Sequence, residues 1–93
     1  MIKSYSNKTT EKAANGEFHR SIPADIRIRV KMRLDRINAA AKLNDLRVPP
    51  SHNLEKLKGD RLGQHSIRVN KQWRICFRWE DGDAYDVEIV DYH

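Results

Sequence analysis

Residues 63–89 read GQHSIRVNKQWRICFRWEDGDAYDVEI, and this stretch decides the fold. Apolar residues recur at every second position, the period of a strand with one buried face. His65, Ile67 and Val69 share one face of a first strand, with Ser66 and Arg68 on the other. Trp73, Ile75, Phe77 and Trp79 share a face of the next, with Arg74, Cys76 and Arg78 opposite. Tyr85, Val87 and Ile89 then alternate with Asp86 and Glu88. Asn70-Lys71 and Asp81-Gly82 mark hairpin turns. The stretch predicts a three-strand antiparallel meander.

Upstream the period changes. Ile26, Val30, Leu34, Ile37 and Ala41 recur at spacings of three and four and define the buried stripe of a helix over about 23–43. Pro23 suits its first turn, Ser21 its cap, and Pro49-Pro50 lie beyond its end. Arg27, Arg29, Lys31, Arg33 and Arg36 lie away from the stripe. Residues 47–58 read as a loop anchored by Leu54 and Leu57, and Gly59-Asp60 as a turn. Residues 2–5 alternate as a short strand, and 7–14 suit a short helix stopped by Asn15-Gly16. The order predicts one α+β domain over residues 1–93, with helices on one face of a mostly antiparallel sheet and the other face open.

Composition narrows the functions. Hydrophobic residues make up 39% of the 93, enough for one core. No apolar run approaches the roughly 18 residues of a membrane span, and the start shows no secretory leader. A single cysteine, Cys76, and four unclustered histidines suggest a reducing, cytoplasmic setting with no metal or other cofactor. The net charge of +5 points toward a polyanionic partner such as nucleic acid.

The meander's register carries more. Keeping Ile67 and Val69 beside Ile75 and Trp73 sets Arg68 opposite Arg74, with no evident acid opposite either. Like charges facing across strands are destabilising unless an anion lies between them. Arginine suits bidentate phosphate contact, so the pair reads as a phosphate clamp. Arg78 falls opposite Asp86, an ordinary ion pair. Asp91-Tyr92-His93 brings carboxylate, phenol and imidazole together at the end of the last strand. His65, Trp73, Phe77 and Trp79 read as core, and Cys76 lacks a histidine in register to make it a nucleophile.

Five blocks in order carry a family resemblance: Leu57-Lys58-Gly59-Asp60-Arg61, Ser66-Ile67-Arg68-Val69, Trp73-Arg74-Ile75, Gly82-Asp83-Ala84-Tyr85 and Asp91-Tyr92-His93. Together they resemble the HigB toxins of the RelE superfamily, from bacterial type II toxin–antitoxin systems. The resemblance implies a RelE-like fold and a messenger-RNA endoribonuclease acting in the decoding site of the ribosome. It implies a helix-turn-helix antitoxin, HigA-like, through which the complex would bind operator DNA. It implies a cleavage site of Lys58, Arg74, Asp91, Tyr92 and His93, with Arg61, Arg68 and Gln72 as RNA or phosphate contacts. Some relatives carry a catalytic histidine where this chain has Glu55, which makes Glu55 a candidate acid/base substitute. Gln72 stands where some have asparagine. The rival readings are a non-catalytic nucleic-acid-binding partner and a protein-binding module with an acidic partner.

Overall fold

The period-two stretch forms the meander it predicts. The computed structural model describes residues 1–92; the His93 expectation lies outside the described residues. Strands β2 (Gln64–Arg68), β3 (Trp73–Glu80) and β4 (Asp83–Asp91) run antiparallel in that order. Ile67 faces Ile75 and Arg68 faces Arg74, as the pattern requires. The first turn is set by Asn70, whose Oδ1 accepts from the backbone N–H groups of Gln72 and Trp73. At the second, Asp81 (φ 48°) and Gly82 (φ 84°) both adopt positive φ, the pairing a tight hairpin favours.

The short strand over 2–5 is present as two parallel bridges, Ile2 to Ala84 and Tyr5 to Val87, on the outer edge of β4. Helix α1 (Lys8–Ala14) follows, its N-terminus capped by Asn7 Oδ1 on the Thr10 N–H. Helix α2 (Arg27–Ala39) is preceded by a 3₁₀ turn at Ala24–Ile26, so Pro23 sits just outside it; the Ser21 hydroxyl pairs with His19 and not with a helix end. Val30, Leu34 and Ile37 are buried to within 1% against Ile67, Ile75, Phe77 and Val87. Each such side chain contributes roughly 1.5–3 kcal/mol.

Four expectations are corrected. Helix α2 stops at Ala39, not near 43, because Asp45 Oδ2 accepts from the backbone N–H groups of Ala41 and Lys42 and starts a separate 3₁₀ turn (Leu43–Arg47). Ala40 is therefore buried and Ala41 exposed. Residues 47–58 are not all loop. They hold a 3₁₀ turn (Pro50–His52) and β1 (Glu55–Lys56), which pairs Glu55 with Ser66 and Lys56 with His65 as a fourth strand.

The second face of the sheet is not open throughout: Ser66 and Cys76 are fully buried and Arg74 is 8% exposed. Finally, the β3–β4 register shifts between Cys76 and Arg78, which face Glu88 and Tyr85 respectively. Asp86 is the extra residue, a bulge at φ 53°. Its orphaned backbone groups are satisfied by two serines: Ser4 Oγ accepts from its N–H, and the Ser6 hydroxyl donates to its carbonyl. The bulge turns Tyr85 out of the core to lie under the Arg78 guanidinium, 4.9 Å from the ring centre, and puts Ala84 inside. The Arg78–Asp86 ion pair survives the shift, at 3.3 Å. No helix among the described residues is long and apolar enough to cross a membrane.

Candidate active site

Arg74 is the centre of the second face. β3 places it, and its guanidinium is held from both sides. Nε donates to Ser66 Oγ at 2.7 Å, and Nη2 donates to the Asn53 carbonyl at 2.7 Å. Asn53 presents that carbonyl from the left-handed residue that ends the Pro50–His52 turn. Glu55 Oε2 lies 3.9 Å from Arg74 Nη2 and is itself half exposed. An acid therefore does stand beside Arg74, supplied by the strand that the sequence pattern hides. Asn53 Nδ2 also donates to Glu55 Oε1 at 3.2 Å, so Glu55 is oriented by two neighbours.

Arg61 crosses the same face. Its Nη1 donates to Gln64 Oε1 at 3.1 Å and to Glu88 Oε1 at 3.3 Å. Burial pulls the Arg61 pKa down, but the Glu88 bond and nearby negative groups outweigh it and hold it above the ordinary value. Beneath lies Cys76, whose thiol burial pushes up, so it stays protonated. That agrees with its exclusion as a nucleophile.

The turn carrying Lys58 and Arg61 and the end of β4 form an open cleft of about 340 Å³, lined by Lys58, Asp60, Arg61, Val90, Asp91 and Tyr92. Asp91 Oδ1 accepts from Gln72 Nε2 at 2.9 Å, and the Tyr92 N–H donates to the Gln72 carbonyl at 2.5 Å. Gln72 thus ties the β2–β3 turn to the chain's last described residues. Tyr92 is 39% exposed and Lys58 is exposed, both free to meet a ligand.

Of the nine residues singled out, Lys58, Arg61, Asp91 and Tyr92 share this cleft. Gln72 braces its rim. Arg74 shares a cross-strand rung with Val90, which lines it. Glu55 flanks Arg74. Arg68 faces Arg74 in register but borders a different hollow. His93 lies outside the described residues. The sequence reading missed Ser66 and Asn53, which fix the guanidinium. Ser66 had a legible signal, since period two places it on the Arg74 face one rung away. Asn53 had none, because it acts through its backbone. The arrangement sets a lysine, an arginine, two carboxylates and a phenol around one small cleft, with Arg74 one strand away, a set suited to binding an anion and moving protons beside it.

Known proteins resemble this chain in sequence and in fold. Residues 3–93 match the family described as the RelE-like toxin of the type II toxin–antitoxin system HigB. Toxin HigB-1 of Vibrio cholerae is 46% identical over 71 residues, covering 76% of this chain and 75% of its own. Endoribonuclease HigB of Proteus vulgaris is 37% identical over 93 residues, covering 100% of both. Among solved structures, the YoeB–YefM toxin–antitoxin complex from Staphylococcus aureus has a chain with TM-score 0.61 at 18% identity, covering 100% of this chain and 98% of that one. A YafQ mutant from E. coli gives TM-score 0.61 at 13% identity, covering 98% and 93%. At those identities the structural likeness is one of fold.

Proposed function

The chain belongs to the HigB-like toxins of type II toxin–antitoxin systems, and from that premise we propose that it is an endoribonuclease that cuts messenger RNA on the translating ribosome. The observation that carries this reading is the cleft where Lys58 and Arg61 face Asp91 and Tyr92, one strand from an Arg74 fixed by Ser66 and Asn53. The strongest rival, a non-catalytic nucleic-acid binder, needs only cations. It leaves the carboxylates and phenol at the same cleft without a task.

The chemistry is an in-line attack of the RNA 2′-oxygen on the adjacent phosphorus. The 2′-O–P bond forms and the P–O5′ bond breaks. The 2′ proton passes to a base, and the 5′-oxygen takes a proton from an acid, leaving a 2′,3′-cyclic phosphate and a 5′-hydroxyl. Each positioned acid or base is worth roughly 10²–10⁴-fold. Lys58 and Arg74 oppose the charge that builds on the phosphate oxygens. Glu55, half exposed beside Arg74, is the carboxylate available to take the 2′ proton. His93 is the residue whose ordinary pKa near 6.5 best suits protonation of the leaving oxygen. Asp91, held by Gln72, orients that end of the chain, and Tyr92 offers a face to a base or a hydroxyl to phosphate. Arg61 and Arg68 supply flanking positive charge. DNA, lacking the 2′-hydroxyl, is not a substrate.

The family membership entails an antitoxin partner. We assign that partner to the HigA-like helix-turn-helix class, reaching operator DNA only through the complex, and the toxin to the cytoplasm, where ribosomes are. The test is expression of the chain alone in translating cells with mapping of messenger-RNA 5′ ends. New 5′-hydroxyl ends within coding regions, together with slowed growth restored by the partner, are expected. Normal growth and unchanged ends with confirmed folded protein would overturn the reading.

A further inference from the structure

Strand β1 pairs with only two residues of β2, Ser66 and His65. Beyond them the outer edge of the sheet is left to arginines from α2. Arg33 Nε donates to the Arg68 carbonyl at 3.0 Å, and Arg29 Nη1 donates to the Val69 carbonyl at 3.1 Å. Arg29, Arg33, Arg68 and Lys71 then line a hollow of about 510 Å³, completed by Ser51, Val69 and Asn70. Among the described residues no carboxylate lines it. Asn70 Oδ1 is occupied by the backbone N–H groups of Gln72 and Trp73. The hollow therefore presents cations.

Arg33 makes it more than a solvated helix face. It is 8% exposed, and among the described residues its Nε bond is the only one it makes. Burial, then the like charges of Arg29 and Arg36, pull its pKa down. A nearly buried guanidinium set among like charges is costly unless an anion joins it. Planar guanidinium groups suit phosphate oxygens better than a bare point charge does.

The hollow also has a defined relation to the cleft. Arg68 faces Arg74 and Arg74 faces Val90, one rung across β2, β3 and β4. With strands roughly 4.8 Å apart, Arg68 and the cleft-lining Val90 lie about 10 Å apart along that rung. Gln72, in the turn that carries Lys71, bonds Asp91 at the cleft rim. We propose that the hollow of Arg29, Arg33, Arg68 and Lys71 is a second phosphodiester site, holding the RNA strand whose scissile bond lies in the cleft. The inference rests on the endoribonuclease reading and extends its binding track around the edge of the sheet. Its occupant is the substrate strand and not ribosomal RNA, because the rung makes it continuous with the cleft.

The test uses the whole chain, two exposed positions and two RNA probes. Lys71→Gln and the Arg29→Gln/Lys71→Gln pair are checked for folding by circular dichroism. The probes carry 2′-O-methyl groups, which cannot supply the attacking hydroxyl. One is a single strand of about ten nucleotides, long enough for both sites; the other is a dinucleotide, which reaches only one. The double variant is expected to bind the longer strand about tenfold more weakly or worse, the worth of a charged hydrogen bond. Its salt dependence should be shallower by roughly 0.7 per lost phosphate contact. Dinucleotide binding, which can still use the intact cleft, should weaken less than binding of the longer strand. Equal affinity of parent and double variant for the longer strand overturns the proposal. So does unchanged strand binding with weakened ribosome co-sedimentation, which would assign the hollow to ribosomal RNA. A parent that fails to cut messenger RNA in cells would refute the enzyme reading instead, and leaves the oligonucleotide comparison readable.

Discussion

Replacing Arg74 by alanine should cost this protein twice, once in stability and once in rate. The guanidinium makes two 2.7 Å bonds, to Ser66 Oγ and to the Asn53 carbonyl, and Ser66 is fully buried. Hydrogen bonds to a charged group are worth roughly 1.5–3 kcal/mol each, and a buried partner left unmatched adds its own desolvation cost. Relief from burying the guanidinium itself offsets part of this, so Arg74→Ala should destabilise by about 3 kcal/mol. For a domain of this size that lowers Tm by roughly 12–24 °C.

Arg78 is the control. It lies in the next rung but one and is also an arginine bonded to carboxylates, Asp86 at 3.3 Å and Glu80. Its side chain is 40% exposed, so Arg78→Ala should cost at most about 1 kcal/mol. On translating ribosomes, at a temperature where circular dichroism shows both variants folded, Arg74→Ala should cut roughly 10²–10³-fold more slowly and Arg78→Ala near the parent rate. Arg74→Lys, which keeps charge but loses the forked donors, should recover part of the stability and little of the rate. Equal Tm losses in the two alanine variants, with equal cleavage, would refute the assignment of Arg74 as a fixed cation.

Three further outcomes are expected. Removing His93 should leave Tm within about 1 °C, as the loss of a last residue generally does, while cleavage falls roughly 10²-fold; cleavage at the parent rate would move the acid role to Asp91 or Tyr92. Asp86→Val should destabilise by about 1–2 kcal/mol in urea unfolding, because a β-branched residue fits the φ 53° bulge poorly, whereas Asp86→Gly should stay close to the parent; equal losses would mean the bulge relaxes freely. His52 and His65 are held below their ordinary pKa of 6.5, chiefly by burial. The unfolded chain therefore takes up protons that the folded one refuses, so their contribution is full above about pH 6.5 and is lost as pH falls below it. The urea midpoint should drop on acidification and His52→Gln should flatten that drop; an unchanged slope would remove His52 from the account.

The meander, both helices and the Arg68–Arg74 rung were legible because each is written in local period or in pairing of neighbours. What escaped had no such mark. The bulge at Asp86 inserts one acidic residue into an alternation that already reads as regular, and its cause, Ser4 and Ser6, lies some eighty positions away in the chain. Strand β1 is two charged residues long, too short for any period to declare itself. The early end of α2 depends on one Asp45 side chain capturing two backbone amides. For the site, residue identities were legible and their partners were not. Arg74 was chosen because no acid faced it across β2 and β3, yet Glu55 reached it from a strand that only the tertiary fold creates.

The outer edge of β4 has a bearing on how the chain behaves at high concentration. A bare strand edge is a template on which a second copy can add a strand and begin an aggregate. Here the N-terminal segment has taken those places. Ala84 bonds to Met1 and Lys3, Val87 to Ser4 and Ser6, and the Ile89 N–H to Thr10 Oγ1. At the opposite edge β1 is short and charged, and α2's arginines occupy the carbonyls beyond it. Edge-to-edge pairing is thus covered on the β4 side and disfavoured on the β1 side from within a single copy. Sheet growth should begin most readily when residues 1–6 peel away from β4, which makes that segment the point at which heat or truncation would turn a dispersed chain into a fibril-forming one.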